Sequence, residues 1–530
     1  VTEQTNNGEK GYQRHYSAGA LGRSLRHFLI GKGFKIVSSV TLLILLGRYL
    51  SQTEYAAYVS FQGLVIIAGL VSSIGIEAVL ARYIPELRSS SNDRYAFQLL
   101  LYGGLARFVV LLALVPLGLI VSASLGKWFG FSDWLWLLPY YLAVGVFRLT
   151  ALTISQALES FLWQRAAQYS LAAGNVFRLV ATLIVLAISF KAPHVTQFGL
   201  HWVVAIELTS ELLTLMLLIA SGWNRYCLDQ ERFQGDSNWW SENRRRLLRF
   251  GAWSWMVSLA AVLYGSGPNR LLAAHYMPES GLATFGYADN ATNLARRLMP
   301  TRLLIGLIRP IFISRFAVDK DFSRLADMTN LVFRMNLLLF CVPIALLVVV
   351  GPALFDWLTG GKYAAAAPLL AGFLALLTLE GLRMLIEVVV QALEKNEYTL
   401  IANALQSVSF VVAIALFPVF GAWALIISAT VGTTMAITVT KWLLARHDAI
   451  IKLDWKLIIM LVGQTALAVI TGIALRETTG SNILAGFVTL ISLFALLGIA
   501  IPFKRTEIQS MANLLPGSIS SRIGVLGSKA

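Results

Sequence analysis

The chain of 530 residues has only two cysteines, Cys227 and Cys341, which offer neither a disulfide framework nor a metal-ligand spacing. Charge is scarce as well: 13% of residues are charged against 57% hydrophobic, and the mean hydropathy is +0.68. That balance excludes an ordinary soluble domain, which needs far more polar surface to cover its core. No G-x-x-x-x-G-K-[ST] phosphate loop occurs, because Gly31-Lys32 and Gly361-Lys362 lack the upstream glycine and the following hydroxyl. There is no H-E-x-x-H helix and no G-x-S-x-G elbow, and the six histidines are scattered. The outer loops are short, without the long acidic stretches that a membrane glycosyltransferase needs for catalysis. An enzyme is therefore not expected, and neither is a cofactor or a metal.

What is present is a succession of apolar blocks, each about 20 residues and long enough to cross a hydrocarbon layer of roughly 30 Å. Alternating ten-residue segments, the mark of an outer-membrane barrel, are absent. Backbone groups in lipid must be satisfied within each span, so the expected fold class is an all-α polytopic membrane protein of about fourteen transmembrane helices. Span two is predicted over 56–81, span seven over 248–274 and span ten over 364–393, the last with Pro368 near its start.

The net charge of +15 with a pI near 9.8 would suit nucleic acid, but its distribution argues against that partner. Alternate connections carry 29 lysines and arginines, counting Lys32 and Lys35 at the start of span one, whereas the opposite loops carry 5. The positive-inside rule then predicts both termini in the cytoplasm, which requires an even number of spans. Residues 1–26 are polar with no apolar stretch, so no cleavable signal peptide is expected there. The predicted organisation is a cytoplasmic tail (1–26), a first lobe (27–222, spans one to six), a cytoplasmic linker (223–247) and a second lobe (248–444, spans seven to twelve). Two accessory spans (445–502) and a second cytoplasmic tail (503–530) follow. The linker holds Trp239, Trp240 and the run Arg244 to Arg246, read as a topology anchor with interfacial aromatics, or else a dock for a partner or anionic lipid. Similar turns after span one (Tyr49 to Tyr58) and span seven (Tyr276 to Tyr287) suggest that the lobes are parallel repeats.

The informative residues are charges inside spans. Arg107, Arg148 and Arg178 fall near mid-span. Facing lipid, the three would cost roughly 8–10 kcal/mol together. Lys32 and Lys35 with Arg270, Arg296, Arg297 and Arg302 extend the cationic set to both lobes. Guanidinium suits phosphate, because its planar fork donates two parallel hydrogen bonds and does not deprotonate. Lys32, Lys35, Arg107, Arg148, Arg178, Arg270, Arg296 and Arg297 are therefore the candidate substrate-binding residues, for a phosphate or pyrophosphate group. Glu207 and Glu211, four apart on one helical face, are candidates for coupling to H+ or Na+, with pairing to the cationic lobe as the alternative. The alternative for the arginines is that they pair with carboxylates and lock helices together. On that view Glu77 meets Arg82, and Arg383 meets Glu380 or Glu387.

The chain also resembles a known family. Gly31-Lys32-Gly33-Phe34-Lys35, Leu46 to Tyr55, Ser73 to Glu86, Arg249-Phe250-Gly251 and Gly286-Tyr287 are similar to the polysaccharide transporters, including O-antigen flippases, of the multidrug/oligosaccharidyl-lipid/polysaccharide exporter (MOP) superfamily. The resemblance implies two six-helix lobes in a V around a central cavity, with two further C-terminal helices. It implies a flippase that moves undecaprenyl-pyrophosphate-linked oligosaccharide across the bacterial inner membrane by alternating access, for O-antigen, exopolysaccharide or capsule. A polysaccharide polymerase and a chain-length regulator are the protein partners it implies. The competing readings are a multidrug cation antiporter of the same superfamily and a membrane-embedded polysaccharide polymerase.

Overall fold

The computed structural model describes residues 18–89, 92–192, 197–228, 239–302, 322–393, 395–446 and 453–499. The expected C-terminal tail, and most of the N-terminal one, lie outside them. The described chain is helical, with no strand, and is a polytopic all-α membrane fold. Among the described residues nine helices are long and apolar enough to span a membrane. Span seven is broken, and Asn482–Gly498 is apolar but shorter than these nine.

The first compact unit is Val1–Gly286. Its helices are α1 (Ala18–Tyr49), α2 (Gln52–Val71), α3 (Ile76–Ser89), α4 (Asp93–Ile120), α5 (Leu138–Ser160), α6 (Gln164–Lys191), α7 (Leu200–Leu228), α8 (Trp239–Ala260) and α9 (Ser266–Tyr276). α10 (Glu279–Leu298) straddles the boundary. α1 packs on α6, α5 lies against α4 and α7, and α9 runs along α2. α2 starts with a capping box: the Ser51 hydroxyl accepts from the Glu54 amide, and Glu54 accepts from the Ser51 amide at 2.9 Å. The other Glu54 oxygen accepts from the Leu200 amide at 2.9 Å, so one side chain ties two turns together.

Two predicted spans are not continuous. Span two breaks after Val71, and the turn Ser72–Gly75 takes positive φ at Ile74 (42°) and Gly75 (73°). Glycine is required at Gly75 on two counts: its φ is left-handed, and a Cβ there would collide with the Gly251 backbone of α8. Span seven divides into α8, a 3₁₀ turn at Val262–Tyr264, and α9. Span ten, by contrast, is one helix. Pro368 sits in its first turn, where a missing N–H leaves no hydrogen bond unmade.

The expected linker is partly helix. Trp239 and Trp240 open α8 and pack on α4: Trp239 stacks on Tyr95 with centroids 5.6 Å apart, and the Trp240 indole N–H donates to Gln98 at 2.8 Å. They join a core of Tyr83, Tyr95, Phe97, Phe161 and Leu247.

The second unit, Tyr287–Ala530, holds α11 (Phe322–Val349), α12 (Ala366–Ala392), α13 (Asn396–Phe420), α14 (Trp423–Ala445), α15 (Trp455–Thr479) and α16 (Asn482–Ile499). α13 pairs with α14, α11 with α12, and α15 with α16. Its core gathers Phe333, Leu385, Val389, Leu444 and Leu461.

Candidate functional site

α5, α6 and α7 are apolar along most of their length, and each carries charge near its middle: Arg148, Arg178, and the pair Glu207 and Glu211. The structure brings all four together. Arg148 donates from Nη2 to Glu207 Oε2 at 2.8 Å and from Nε to Glu211 Oε1 at 2.7 Å. Arg178 donates from Nη2 to the other Glu207 oxygen and to the Tyr58 hydroxyl, the latter at 2.9 Å. Tyr58, on α2, donates in turn to Glu207 at 2.5 Å. Glu207 is wholly buried and receives three hydrogen bonds, which is the condition for keeping a desolvated carboxylate charged. Two cations face two anions, so the cluster is neutral as it stands. The Arg148, Arg178 and Glu211 side chains keep 21%, 17% and 17% of their surface exposed. Tyr141 packs edge-on against Tyr58 at 6.0 Å, and its buried hydroxyl has no partner among the described residues.

Arg107 is used differently. It donates to the Gly69 carbonyl at 2.6 Å and stands 3.4 Å from Glu77. Gly69 lies in the last turn of α2, and Glu77 in the first turn of α3. A cation therefore sits at the C-terminal end of one half-helix and an anion at the N-terminal start of the next, each favourable to the local dipole. The four final carbonyls of α2 are all satisfied: Ala68 by Ser72, Gly69 by Arg107, Leu70 by the Ser73 amide, and Val71 by the Trp255 indole N–H at 3.1 Å. Thr153 also donates to Glu77, at 2.9 Å. Nε and Nη1 of Arg107 are buried with no partner among the described residues.

Arg270 on α9 is 2% exposed and hydrogen-bonded to Gln62 of α2. Lys32 and Lys35 are half-buried near Glu159, which accepts from Gln168 at 2.7 Å. In the second unit Arg296 reaches Asn293 at 2.8 Å and Glu380 at 3.1 Å, while Arg297 and Arg302 are exposed. Arg383 pairs with Glu387 at 3.1 Å and with Asn403.

The expected pairing of Glu77 with Arg82 is not found. Arg82 lies over the Phe250 ring, 4.7 Å from its centroid, and Glu77 turns to Arg107. Glu77 and Arg82 both lie on α3, five residues apart, which at 3.6 residues per turn puts them on faces about 140° apart. Tyr58, Gln62 and Thr153 escaped the sequence reading. A tyrosine inside an apolar run, three residues after Tyr55, was the one available signal, since a buried hydroxyl needs a partner.

No family model and no curated relative matches the sequence. The fold, however, is similar to solved transporters. A lipid II flippase, MurJ, in an inward closed conformation superposes with a TM-score of 0.63 over 89% of this chain and 98% of its own, at 12% identity. An inward-facing multidrug resistance MATE family transporter of the MOP superfamily gives 0.56 over 78% of this chain and 98% of its own, at 15% identity. A MOP superfamily transporter from Pyrococcus furiosus, described as having a binding pocket of reverse polarity, gives 0.53 over 81% and 95%, at 14% identity. The chain thus shares its fold with these solved transporters.

Proposed function

We propose that this protein is a flippase for polyprenyl-pyrophosphate-linked oligosaccharides, working by alternating access in the bacterial inner membrane with both termini in the cytoplasm. The observation that carries the reading is the Arg148–Arg178 pair in the first unit: two guanidinium groups in apolar spans, partly exposed and held by carboxylates. A pyrophosphate presents the same oxygen geometry to a guanidinium fork as a carboxylate does, with more charge. It can replace Glu211 on Arg148, and the released carboxylate can then take up a proton. That exchange would link cargo to H+ while keeping the cluster near neutrality. Lys32, Lys35 and Arg270 of the same unit supply further positive charge for the phosphate-sugar head.

Two comparisons favour this over a drug exporter. Both carboxylates of the cluster are already engaged by Arg148 and Arg178, which leaves neither free for a cationic drug. The similarity to the lipid II flippase also covers 89% of this chain against 78% and 81% for the other two transporters, a difference comparable in size to α15 and α16 together. For the product, a polysaccharide polymerase and a chain-length regulator are the proposed partners.

The test is binding of farnesyl pyrophosphate to the purified protein beside its Arg148→Gln variant. The expected result is a loss of affinity of about tenfold or more, on the order of 1.4 kcal/mol. Equal affinity in a folded variant counts against the assignment.

A further inference from the structure

A second site lies on the flank of the first unit and shares α5 and α7 with the charged network. α4, α5 and α7 leave an open, hydrocarbon-lined groove of about 400 Å³ between them. Gly104, Ile154, Leu158 and Leu218 form its floor, and Leu101, Leu105, Ile219 and Trp223 its exposed rim. Thr150 is the one hydroxyl in the lining. On α4 the groove runs from Phe97 to Phe108, and on α5 from Phe147 to Leu158. At 1.5 Å per residue each wall is about 16 Å long, roughly half of a 30 Å hydrocarbon layer. The groove therefore serves a single leaflet.

One end is marked chemically. Phe97 stacks on Tyr226 at 4.2 Å, and Trp223 packs against Tyr226 at 5.6 Å. Tyr102 meets Trp240 at 5.6 Å, so aromatic rings gather where α4 begins and α7 ends. Such belts sit at headgroup depth. Arg94 continues the Phe97–Leu101–Gly104 stripe of α4 by one turn, Arg225 follows Trp223 on α7, and both are exposed. Arg244 and Arg245, also exposed, lie one turn beyond Trp240. A hydrocarbon-lined channel one leaflet long, with exposed arginines and Trp and Tyr rings at one mouth, matches an acyl chain joined to an anionic head.

We infer that this groove binds one anionic phospholipid from the arginine-rich side of the membrane, its chain along α4, α5 and α7 and its phosphate on Arg94 and Arg225. The occupant is a resident lipid and not the cargo. A polyprenyl tail is far longer than the groove, whereas an ordinary acyl chain matches one leaflet.

Native mass spectrometry of the full chain in detergent, with equal amounts of phosphatidylglycerol and phosphatidylcholine, tests this directly. The expected result is a retained phosphatidylglycerol adduct at several-fold excess over phosphatidylcholine. Arg94→Gln with Arg225→Gln, both at exposed positions, should abolish the preference. Gly222→Leu should lower retention of both lipids by filling the groove, because a Cβ there meets Leu158 at an ordinary 3.5 Å. Equal retention of the two lipids by the wild type overturns the site. So does a preference that survives the double arginine change, or displacement of the adduct by decaprenyl phosphate at equal concentration.

Discussion

The first unit handles buried arginine in two ways a few helices apart. Around Glu207 the cations of α5 and α6 meet carboxylates from α7, charge against charge, in helices that remain intact. At Arg107 the answer is largely backbone: a broken helix offers its terminal carbonyl, and a single glutamate stands farther off at 3.4 Å. Both arrangements satisfy a cation in an apolar span. They differ in what can be exchanged. A carboxylate on a neighbouring helix can yield its place to another anion, whereas the end of a half-helix cannot leave. An in-span arginine is thus not a ligand-binding group by itself; the nature of its counterpart decides.

The largest effect should come from Glu207. Glu207→Gln leaves two guanidinium groups sharing Glu211 alone and should cost about 3–5 kcal/mol, read as thermal unfolding in detergent. Combining it with Arg178→Gln should recover part of the loss, and no recovery would remove the case for a coupled network. Gly75→Ala should come next, at about 1–3 kcal/mol, since it forces a left-handed φ and a clash with the Gly251 backbone. Arg107→Met should cost a similar or slightly smaller amount, roughly 1–3 kcal/mol, by uncapping α2 and stripping Glu77 of its cation. It should leave farnesyl pyrophosphate affinity within a few-fold of wild type, unlike Arg148→Gln, and a tenfold loss would erase the distinction drawn between the two arginines. Tyr58→Phe removes one hydrogen bond to Glu207 and should cost about 1.5–2 kcal/mol. Glu86→Gln breaks the exposed pair with Arg246, at 2.8 Å, and should change stability by less than about 1 kcal/mol.

The membrane class was legible because it rests on the length and apolarity of local segments, and so was the shared face of Glu207 and Glu211. The break in span seven had a readable mark in Gly265-Ser266-Gly267-Pro268, a cluster of helix breakers inside the expected span. The break in span two had a weaker mark, Ser72, Ser73 and Gly75 around the single apolar Ile74. Which carboxylate meets which arginine was not legible. Arg148 and Glu211 are 63 residues apart, and Arg270 and Gln62 are 208 apart, so their meeting depends on helix packing that no local pattern encodes. The pairing of Arg383 with Glu387 was legible, being one turn along a single helix.

The central claim is that the cargo is a polyprenyl-linked glycan. Mass analysis of polyprenyl-linked glycans from a deletion strain beside wild type tests it most directly. The account predicts that a single repeat unit accumulates on its lipid carrier while the external polymer is lost, and that the Arg148→Gln protein restores less export than the wild type. Unchanged lipid intermediates and unchanged polymer, in a strain without a second flippase, would contradict it and point to drug export.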